Sequence, residues 1–496
     1  MERILLFIVL IVGLPLIVQA QIPNTIGGPS RTASPQQADY PSRDTSDILY
    51  YYANSPYQKS LINDTLLDIN SVQYDPVRLR LFEYAHLGHL GSAHYPILHG
   101  TIRRNGFDIG YHQYDLYQIS IDQVPFFEIT RPFVKLGYFQ GAEQSNGYIT
   151  TQFGSNFEQG VTLSIDYRNM NQIGTQTKFI NQDVNNTAIA VGLTINKNSD
   201  KYNGYLSLAS NTIRQEENGG IDSPPTDVQG FTTPSSATVF LDDAQTRHAL
   251  RSFRYTHYLS LRKQPKPELL PEERPTTIPD SLSMQLFPDA LLSTKTEAPL
   301  DSLEDQALKE KSKVRRDYTV GHQITYSTNR FKFFDQSSTL DSNIYNDIFL
   351  VDPRGLRTQT KYNALRNSFF LSTFQKSKDQ LIEPNSVKLG VTHQITNINF
   401  EGADSTVNTL FLNGDFNFNF NQRVTLEANA QLGLLDHVGD YQINGKLAFS
   451  LPKLGTLNLE LFNQLNTPNL VQSVFYLNEE KIWSNNFKKT LTTSLK

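Results

Sequence analysis

The chain of 496 residues contains no cysteine, which excludes disulfides and cysteine ligands from its structure and chemistry. It has a single tryptophan, and only 19 % of its residues are charged, less than the usual quarter of a soluble domain. A net charge of −5 and the lack of any basic block argue against nucleic-acid binding. Beyond residue 20, no stretch reaches the ~18 consecutive apolar residues of a membrane-spanning helix.

The first residues, MERILLFIVLIVGLPLIVQA (1–20), have the pattern of a secretory signal peptide. Arg3 supplies the positive end, residues 4–18 form the apolar run, and Val18-Gln19-Ala20 is an acceptable small-x-small cleavage site. We therefore expect export through the Sec pathway and cleavage after Ala20. The alternative is an N-terminal membrane anchor, for which the apolar run is short. A secreted chain without cysteine must be stabilised by size or by closure of its fold.

Composition divides the rest of the chain. Residues 21–47 are rich in Pro, Ser, Gln and Thr and read as a disordered linker that cannot form a core. Residues 48–105 are aromatic and mixed, and we interpret them as an N-terminal periplasmic or barrel-entry segment. Residues 106–496 carry the repeating pattern described next. Within them, 263–314 is rich in proline and charge and indicates a long irregular loop, either functional or a disordered insertion.

Strict alternation of apolar and polar residues dominates the chain from residue 106 onward. In VTLSIDYRN (161–169), Val161, Leu163, Ile165 and Tyr167 alternate with polar residues, which is the signature of a β-strand. Similar runs recur to about residue 465, and many are about twice the usual strand length. Some are separated by tight turns such as Gly439-Asp440, which indicate antiparallel hairpins.

Alternation alone does not decide which face of the sheet meets water, because a soluble sandwich alternates too. The long strands, the amide-rich polar face, and the Tyr and Phe residues at the ends of the apolar face favour a membrane barrel. The sequence therefore predicts an all-β protein, an antiparallel transmembrane β-barrel of roughly 14–18 strands.

Four stretches resemble one known family in wording, order and spacing: LGHLGSAHYP (87–96), GFDIGYHQYDLY (106–117), VPFFEITRPFVKLGYFQGAEQ (124–144) and EENGGI (216–221). The chain resembles the β-barrel porins of Bacteroidota outer membranes, most clearly over 80–221. The resemblance implies a place in the outer membrane and passage of small solutes. The chain departs from the pattern at its end, KKTLTTSLK, which lacks the terminal aromatic read by the barrel-assembly machinery. We expect from this that the last strands of the barrel are missing.

A cluster of histidines, His86, His89, His94 and His99, raises the question of a metal site. Zinc accepts histidine but requires a fixed tetrahedral geometry, and Gly88, Gly91 and Pro96 break any helix that could align the rings. We interpret the stretch as a glycine-rich turn with ordinary polar histidines, and we keep these four only as weak metal candidates. No other metal site or cofactor is implied.

No catalytic constellation is visible. A Gly-x-Ser-x-Gly motif and an obvious carboxylate pair are absent from the sequence. Three of the later histidines, His257, His322 and His393, fall on faces predicted to meet lipid near strand ends. We therefore predict that the protein is not an enzyme.

Charges on the polar face of the strands are the candidate pore lining. Both signs occur, and charges on opposite walls of a lumen select solutes by charge. The alternative is that they are simply solvated lumen wall that sets no selectivity. Facing lipid, an Arg or Lys would cost up to ~2–4 kcal/mol at the bilayer midplane, which favours their inward assignment. The predicted lumen-facing residues are Asp166, Arg168, Arg254, Lys388, Asp415, Glu427, Lys446 and Glu460.

The primary hypothesis is an outer-membrane porin, a passive diffusion channel for small hydrophilic solutes. Its expected partners are outer-membrane lipid, the assembly machinery and the solutes, without nucleic acid, and the sequence leaves the oligomeric state open. A second hypothesis is a transporter for one ligand class, such as hydrophobic molecules. It predicts an N-terminal plug, for which residues 48–100 are the candidate, although they are short for an energised transporter. A third is a non-conducting structural or adhesive barrel.

Overall fold

The computed structural model of the protein describes a defined part of the chain. The signal peptide, the linker 21–47 and the loop 263–314 predicted above lie outside it, as does His99. The described residues are 48–62, 74–78, 83–98, 103, 106–141, 146–157, 160–174, 180–196, 201–223, 238–261, 316–336, 344–345, 354–375, 385–420, 423–451 and 455–496.

The described part begins with a stretch of short elements that precedes the main sheet. Strand β1 (Leu49–Tyr52) pairs with both β2 (Ser55–Leu61) and β5 (Pro125–Glu128) in a small antiparallel sheet. Between them, β3 (Tyr84–His86) and β4 (His94–Pro96) form a two-stranded ribbon. Two turns of 3-10 helix follow, Asp115–Tyr117 and Ile121–Gln123. We call residues 48–130 the inner segment.

The remaining strands are mostly long. Fourteen strands, β6 to β10, β13 to β20 and β23, form one antiparallel sheet in chain order. The other four make two small ribbons, β11 with β12 and β21 with β22, and a helical turn, Leu470–Ser473, precedes β21. The bounds are β6 Phe133–Gln140, β7 Gly147–Phe157, β8 Val161–Gln172, β9 Val184–Asn196, β10 Tyr202–Glu217, β11 Ile221–Ser223, β12 Thr238–Val239, β13 Ala244–Ser260, β14 Arg316–Asp335, β15 Leu356–Gln375, β16 Ser386–Phe400, β17 Ala403–Phe420, β18 Val424–Leu435, β19 Tyr441–Leu451, β20 Gly455–Asn466, β21 Val474–Leu477, β22 Glu480–Ser484 and β23 Thr490–Leu495.

One face of the large sheet is apolar and exposed, and we call it the outer face. On β6, Val134 and Leu136 are 67 % and 70 % exposed, and on β16 Leu389 and Val391 are 53 % and 42 % exposed. Period-2 alternation places such residues together on one side of every strand. An apolar face of this extent is unusual in water and suits contact with hydrocarbon.

The opposite, inner face carries the inner segment. Phe126 packs on Tyr205 of β10 with ring centroids 5.3 Å apart, and Tyr111 stacks on Phe331 of β14 at 3.6 Å. Arg103 forms an ion pair with Glu460 of β20. Because one segment contacts strands from β10 to β20, the sheet must curve around it. The sheet itself begins at Phe133 and not at residue 106, since 106–130 belongs to the inner segment.

The prediction of an all-β antiparallel fold is confirmed, with the fourteen strands of the sheet at the lower end of the predicted number. The predicted closure of the sheet into a barrel is not seen in the structure, because the two edge strands, β6 and β23, are not paired with each other. The two unpaired edges are short: strand β6 has 8 residues and β23 has 6, whereas β14 has 20.

Helices contribute little to the architecture. Within the described ranges, no helix is both long enough and apolar enough to cross a membrane.

Candidate functional site

Aromatic packing holds the inner segment against the sheet near the ends of β10, β13 and β15. Tyr51 and Phe126 of the inner segment form one buried cluster with Tyr205, Tyr258 and Phe370 of those strands. The Tyr258 hydroxyl donates a hydrogen bond of 2.6 Å to the carbonyl oxygen of Ala53. Aromatic side chains of this size supply much of the apolar area buried in such a contact.

Buried amide side chains of the sheet satisfy the backbone of the inner segment. Asn211 on β10 accepts a hydrogen bond from the amide of Ile119 at 2.8 Å and donates one to its carbonyl oxygen at 3.0 Å. Asn186 on β9 donates to the carbonyl oxygen of Gly91 at 2.7 Å. These bonds replace water for backbone groups that the sheet covers. Sequence reasoning missed them, and the one available signal was the density of Asn and Gln on the polar face.

Gly91 lies in a turn of the inner segment that approaches β9 closely. Its φ is +85°, and a Cβ added there would lie 2.8 Å from Nδ2 of Asn186. A side chain at residue 91 would therefore be strained by the backbone conformation and would also displace the Asn186 amide that donates to the Gly91 carbonyl oxygen.

An ion pair joins the inner segment to the centre of the sheet. Nη1 of Arg254, on β13, lies 2.5 Å from Oδ1 of Asp122, which also accepts a hydrogen bond of 2.7 Å from Asn54. Burial alone would raise the pKa of Asp122, but the charge and hydrogen bond of Arg254 outweigh it and hold that pKa below its usual range. The Arg254 guanidinium also donates from Nε to Thr325 at 3.0 Å.

The strand register places all the predicted lumen-facing charges on the inner face. Asp166 and Arg168 share β8, where Arg168 donates to Asp166 at 3.0 Å. Across neighbouring strands, Lys388 is opposite Asp415. A second row crosses β18, β19 and β20, in which Lys446 lies opposite both Glu427 and Glu460. The structure therefore brings five of the eight candidates together in these two rows, while Asp166 and Arg168 pair with each other on β8 and Arg254 pairs with Asp122.

A cavity of about 630 Å³ lies between the inner segment and the strands from β13 to β19. Its charged lining residues are the bases Arg103, Arg254, Arg366 and Lys388 and the acids Asp122 and Asp415. Four bases against two acids give its wall a net positive charge. Much of the remaining wall consists of amides on β17, β18 and β19, including Asn413, Asn429, Gln442 and Asn444.

Sequence reasoning missed three of these charged residues. Arg103 and Asp122 come from the inner segment, whose position against the sheet has no periodic signal. Arg366 lies on β15 in NALRNSFFLS, where apolar Ala364 and Phe370 share the inner face with it. Because those two residues blur the alternation, Arg366 could be found only by extending the strand register.

A protein-family model described as "Putative porin" matches residues 48–496. The chain belongs to this family. No curated protein matches the chain.

In this porin-family chain the histidines of the predicted cluster serve different contacts. His86 pairs with Asp75 at 3.5 Å, and His89 Nδ1 lies 3.2 Å from the carbonyl oxygen of Gln182. His94 Nε2 accepts a hydrogen bond from the amide of Leu116 at 3.2 Å, and burial lowers the pKa of His94 to about 4. Within the part of the chain that the structure describes, no group of three or more His, Cys, Asp or Glu residues is arranged to hold a metal.

His112 lies between two carboxylates. Its Nδ1 lies 2.8 Å from Asp115 and its Nε2 lies 3.0 Å from Asp108. Hydrogen bonds to Asp108 and then Asp115 raise the pKa of His112 to about 9, so the ring is protonated at neutral pH. The backbone carbonyl oxygen of Asp108 in turn accepts a hydrogen bond of 2.9 Å from Leu470. His112 thus stabilises the turn that docks on the 467–473 connection.

The three histidines on the outer face lie away from the cavity. His257 on β13 is opposite His322 on β14, with ring centroids 5.2 Å apart. His393 Nε2 lies 2.8 Å from Asn408 Oδ1. His393 sits in the middle of β16 and not near a strand end, because that strand extends to Phe400. None of these rings faces a nucleophile or carboxylate in the contacts described.

Proposed function

We propose that the protein is an outer-membrane porin with a narrow, selective passage for small hydrophilic solutes. The observation that carries the proposal is the polar cavity between the inner segment and the sheet. Its volume of about 630 Å³ falls in the range of small-molecule sites, ~300–1,000 Å³. The inner segment occupies the face that a wide general-diffusion pore would leave to water.

Membership of the porin family and the exposed apolar outer face support an outer-membrane location. Secretion through the Sec pathway, with cleavage after Ala20, belongs to the same proposal and rests on the N-terminal sequence pattern. So do the expected partners, which are outer-membrane lipid, the assembly machinery and the transported solutes. In this proposal the protein performs no catalysis, and selectivity comes from the width and charge of the passage.

The packing of the inner segment distinguishes this proposal from passive general diffusion. Residues 48–130 bury aromatic side chains, hydrogen-bond to sheet amides and form ion pairs with β13 and β20. A segment held by so many contacts reduces the free cross-section of the lumen. Passage therefore depends on the fit of the solute, which is the behaviour of a selective channel.

The test is single-channel conductance in a planar bilayer with detergent-purified, full-length protein that shows heat-modifiable migration. The proposal predicts discrete, small conductance steps and a sharp size cutoff in liposome swelling with sugars of increasing length. Folded protein that inserts without conducting would overturn it. Large steps with a broad cutoff would favour the general-diffusion pore. Heat-denatured protein from the same preparation is the control.

A further inference from the structure

We propose that the cavity binds a small hydroxylated organic oxyanion, a carboxylate or phosphate that carries neighbouring hydroxyl groups. The inference rests on the proposed function, since it names the class of solute for the same passage. It starts from three basic side chains that share one acid.

The carboxylate of Asp122 lies among these three basic side chains. Arg254 pairs with it directly at 2.5 Å, and Arg366 and Lys388 lie close enough for their charges to interact with it. One carboxylate therefore faces three cations. Asp415 lies opposite Lys388 in the register and offsets a second charge. One positive charge in this part of the cavity has no acid to balance it.

Arg366 carries that charge. Its Nε donates a hydrogen bond of 2.7 Å to Oε1 of Gln394, which is a neutral amide. Among the described residues, no carboxylate lies within ion-pair distance of its guanidinium. Because Arg366 lines the cavity, its terminal nitrogens are available to a ligand. A guanidinium presents a planar fork that matches the two oxygens of a carboxylate or phosphate.

The lining residues on β19 indicate the rest of the ligand. Gln442 and Asn444 are 9 % and 5 % exposed, and both line the cavity. Among the described residues, neither amide oxygen has a hydrogen-bond partner. Buried amide groups need such a partner. A hydroxyl group both donates and accepts, so it satisfies an amide in either orientation.

The combination defines the ligand class. A bare inorganic anion would leave the amide wall unsatisfied, and a neutral sugar would leave Arg366 without a counter-charge. A hydroxylated anion of sugar size can pair with Arg366 and form hydrogen bonds with the amides of Gln442 and Asn444 in a cavity of about 630 Å³. Gluconate is a suitable probe, with sorbitol as its neutral analogue and acetate as the anion without hydroxyls.

The experiment is isothermal titration calorimetry on the full-length, detergent-folded protein. We expect gluconate to bind more tightly than sorbitol or acetate. We expect Arg366→Gln to weaken gluconate binding by about tenfold or more, because a hydrogen bond to a charged group is removed. Arg251→Gln is the matched control, since Arg251 is exposed on the outer face of β13 and does not line the cavity, and it should bind as the wild type does.

Two results would overturn the inference: sorbitol binding as tightly as gluconate, or Arg366→Gln binding gluconate unchanged. If Arg366→Gln does not fold, gluconate binding by Lys388→Gln and the comparison of the three ligands on the wild type still test the inference. Bilayer conductance of the same samples separates this inference from the proposed function. Conduction without a preference for gluconate would contradict this inference and leave the porin proposal standing. Binding of gluconate without conduction would contradict the porin proposal and leave this inference standing.

Discussion

Asp122 and Arg254 are separated by 132 positions in the sequence, yet their side chains meet at 2.5 Å on the inner face of the sheet. The pair joins a 3-10 turn of the inner segment to the middle of β13. Hydrogen bonds from Asn54 to Asp122 and from Arg254 to Thr325 hold both groups in place. This contact therefore couples the position of the inner segment to the charge of the cavity.

Replacing Asp122 with Asn should loosen that coupling. The change keeps the size of the side chain and removes the charge that pairs with the buried Arg254 guanidinium. We expect a loss of ~1–2 kcal/mol in unfolding free energy, a modest value because the Asp122 side chain is itself 53 % exposed. The cavity also becomes more positive. Single-channel recording should show larger, noisier steps and a shift of reversal potential toward anion preference.

Asp404→Asn is the control for that experiment, because Asp404 is exposed and contacts only Asn399 in the hydrogen bonds described. It should leave conductance and selectivity unchanged. Equal effects of Asp122→Asn and Asp404→Asn would contradict the role of the Asp122–Arg254 pair.

The turn at Gly91 should tolerate no side chain. Gly91→Ala adds backbone strain of ~1–2 kcal/mol and a contact with Asn186 at 2.8 Å. We expect the variant to release the inner segment, which limited proteolysis should detect as faster cleavage within 48–130.

Gly439 provides a matched comparison for Gly91, since its φ is also +85° and a Cβ there would meet only the tip of Lys489, at 3.7 Å. Gly439→Ala should add the same backbone strain without releasing the inner segment from the sheet. If both variants cleave at the same rate within 48–130, the contact between Gly91 and β9 has no part in holding the segment.

The strands of the sheet were predictable from sequence, whereas the packing of the inner segment against the inner face was not. Alternation in Val161–Gln172 specifies a strand and its two faces locally, because neighbouring side chains point to opposite sides. The bond between Asn186 and Gly91 spans 95 positions, and no periodic signal reports such a contact. From the sequence, residues 48–100 are a short plug candidate and 106–130 are assigned to the barrel, whereas the structure packs 106–130 against the sheet as part of the inner segment.

His112 should make the docking of the inner segment depend on pH. Its folded pKa of about 9 lies above the ordinary value of 6.5, so its stabilising contribution is complete below about 6.5 and is lost as the pH rises through 9. Hydrogen exchange of residues 106–117, corrected for intrinsic rates, should therefore accelerate between pH 7 and pH 10.

The variant His112→Gln should remove that dependence, with low protection of 106–117 already at pH 6. His393→Gln is the control, since His393 lies on the outer face against Asn408, and it should retain the wild-type profile. A pH step that persists in His112→Gln would assign the transition to another group.

The outer face can be tested at Val391, which lies near the centre of the apolar stretch of β16. In the register it is flanked by Phe369 and Leu412, and these neighbours are 61 % and 43 % exposed. If this face meets the hydrocarbon core, Val391→Arg should cost ~2–4 kcal/mol at the midplane. The neighbouring variant Thr392→Arg points to the inner face and should fold, with altered ion selectivity. Folding yield into lipid vesicles, read from heat-modifiable migration, compares the two. Equal yields would show that the apolar face does not contact lipid, because only the direction of the side chain differs between the variants.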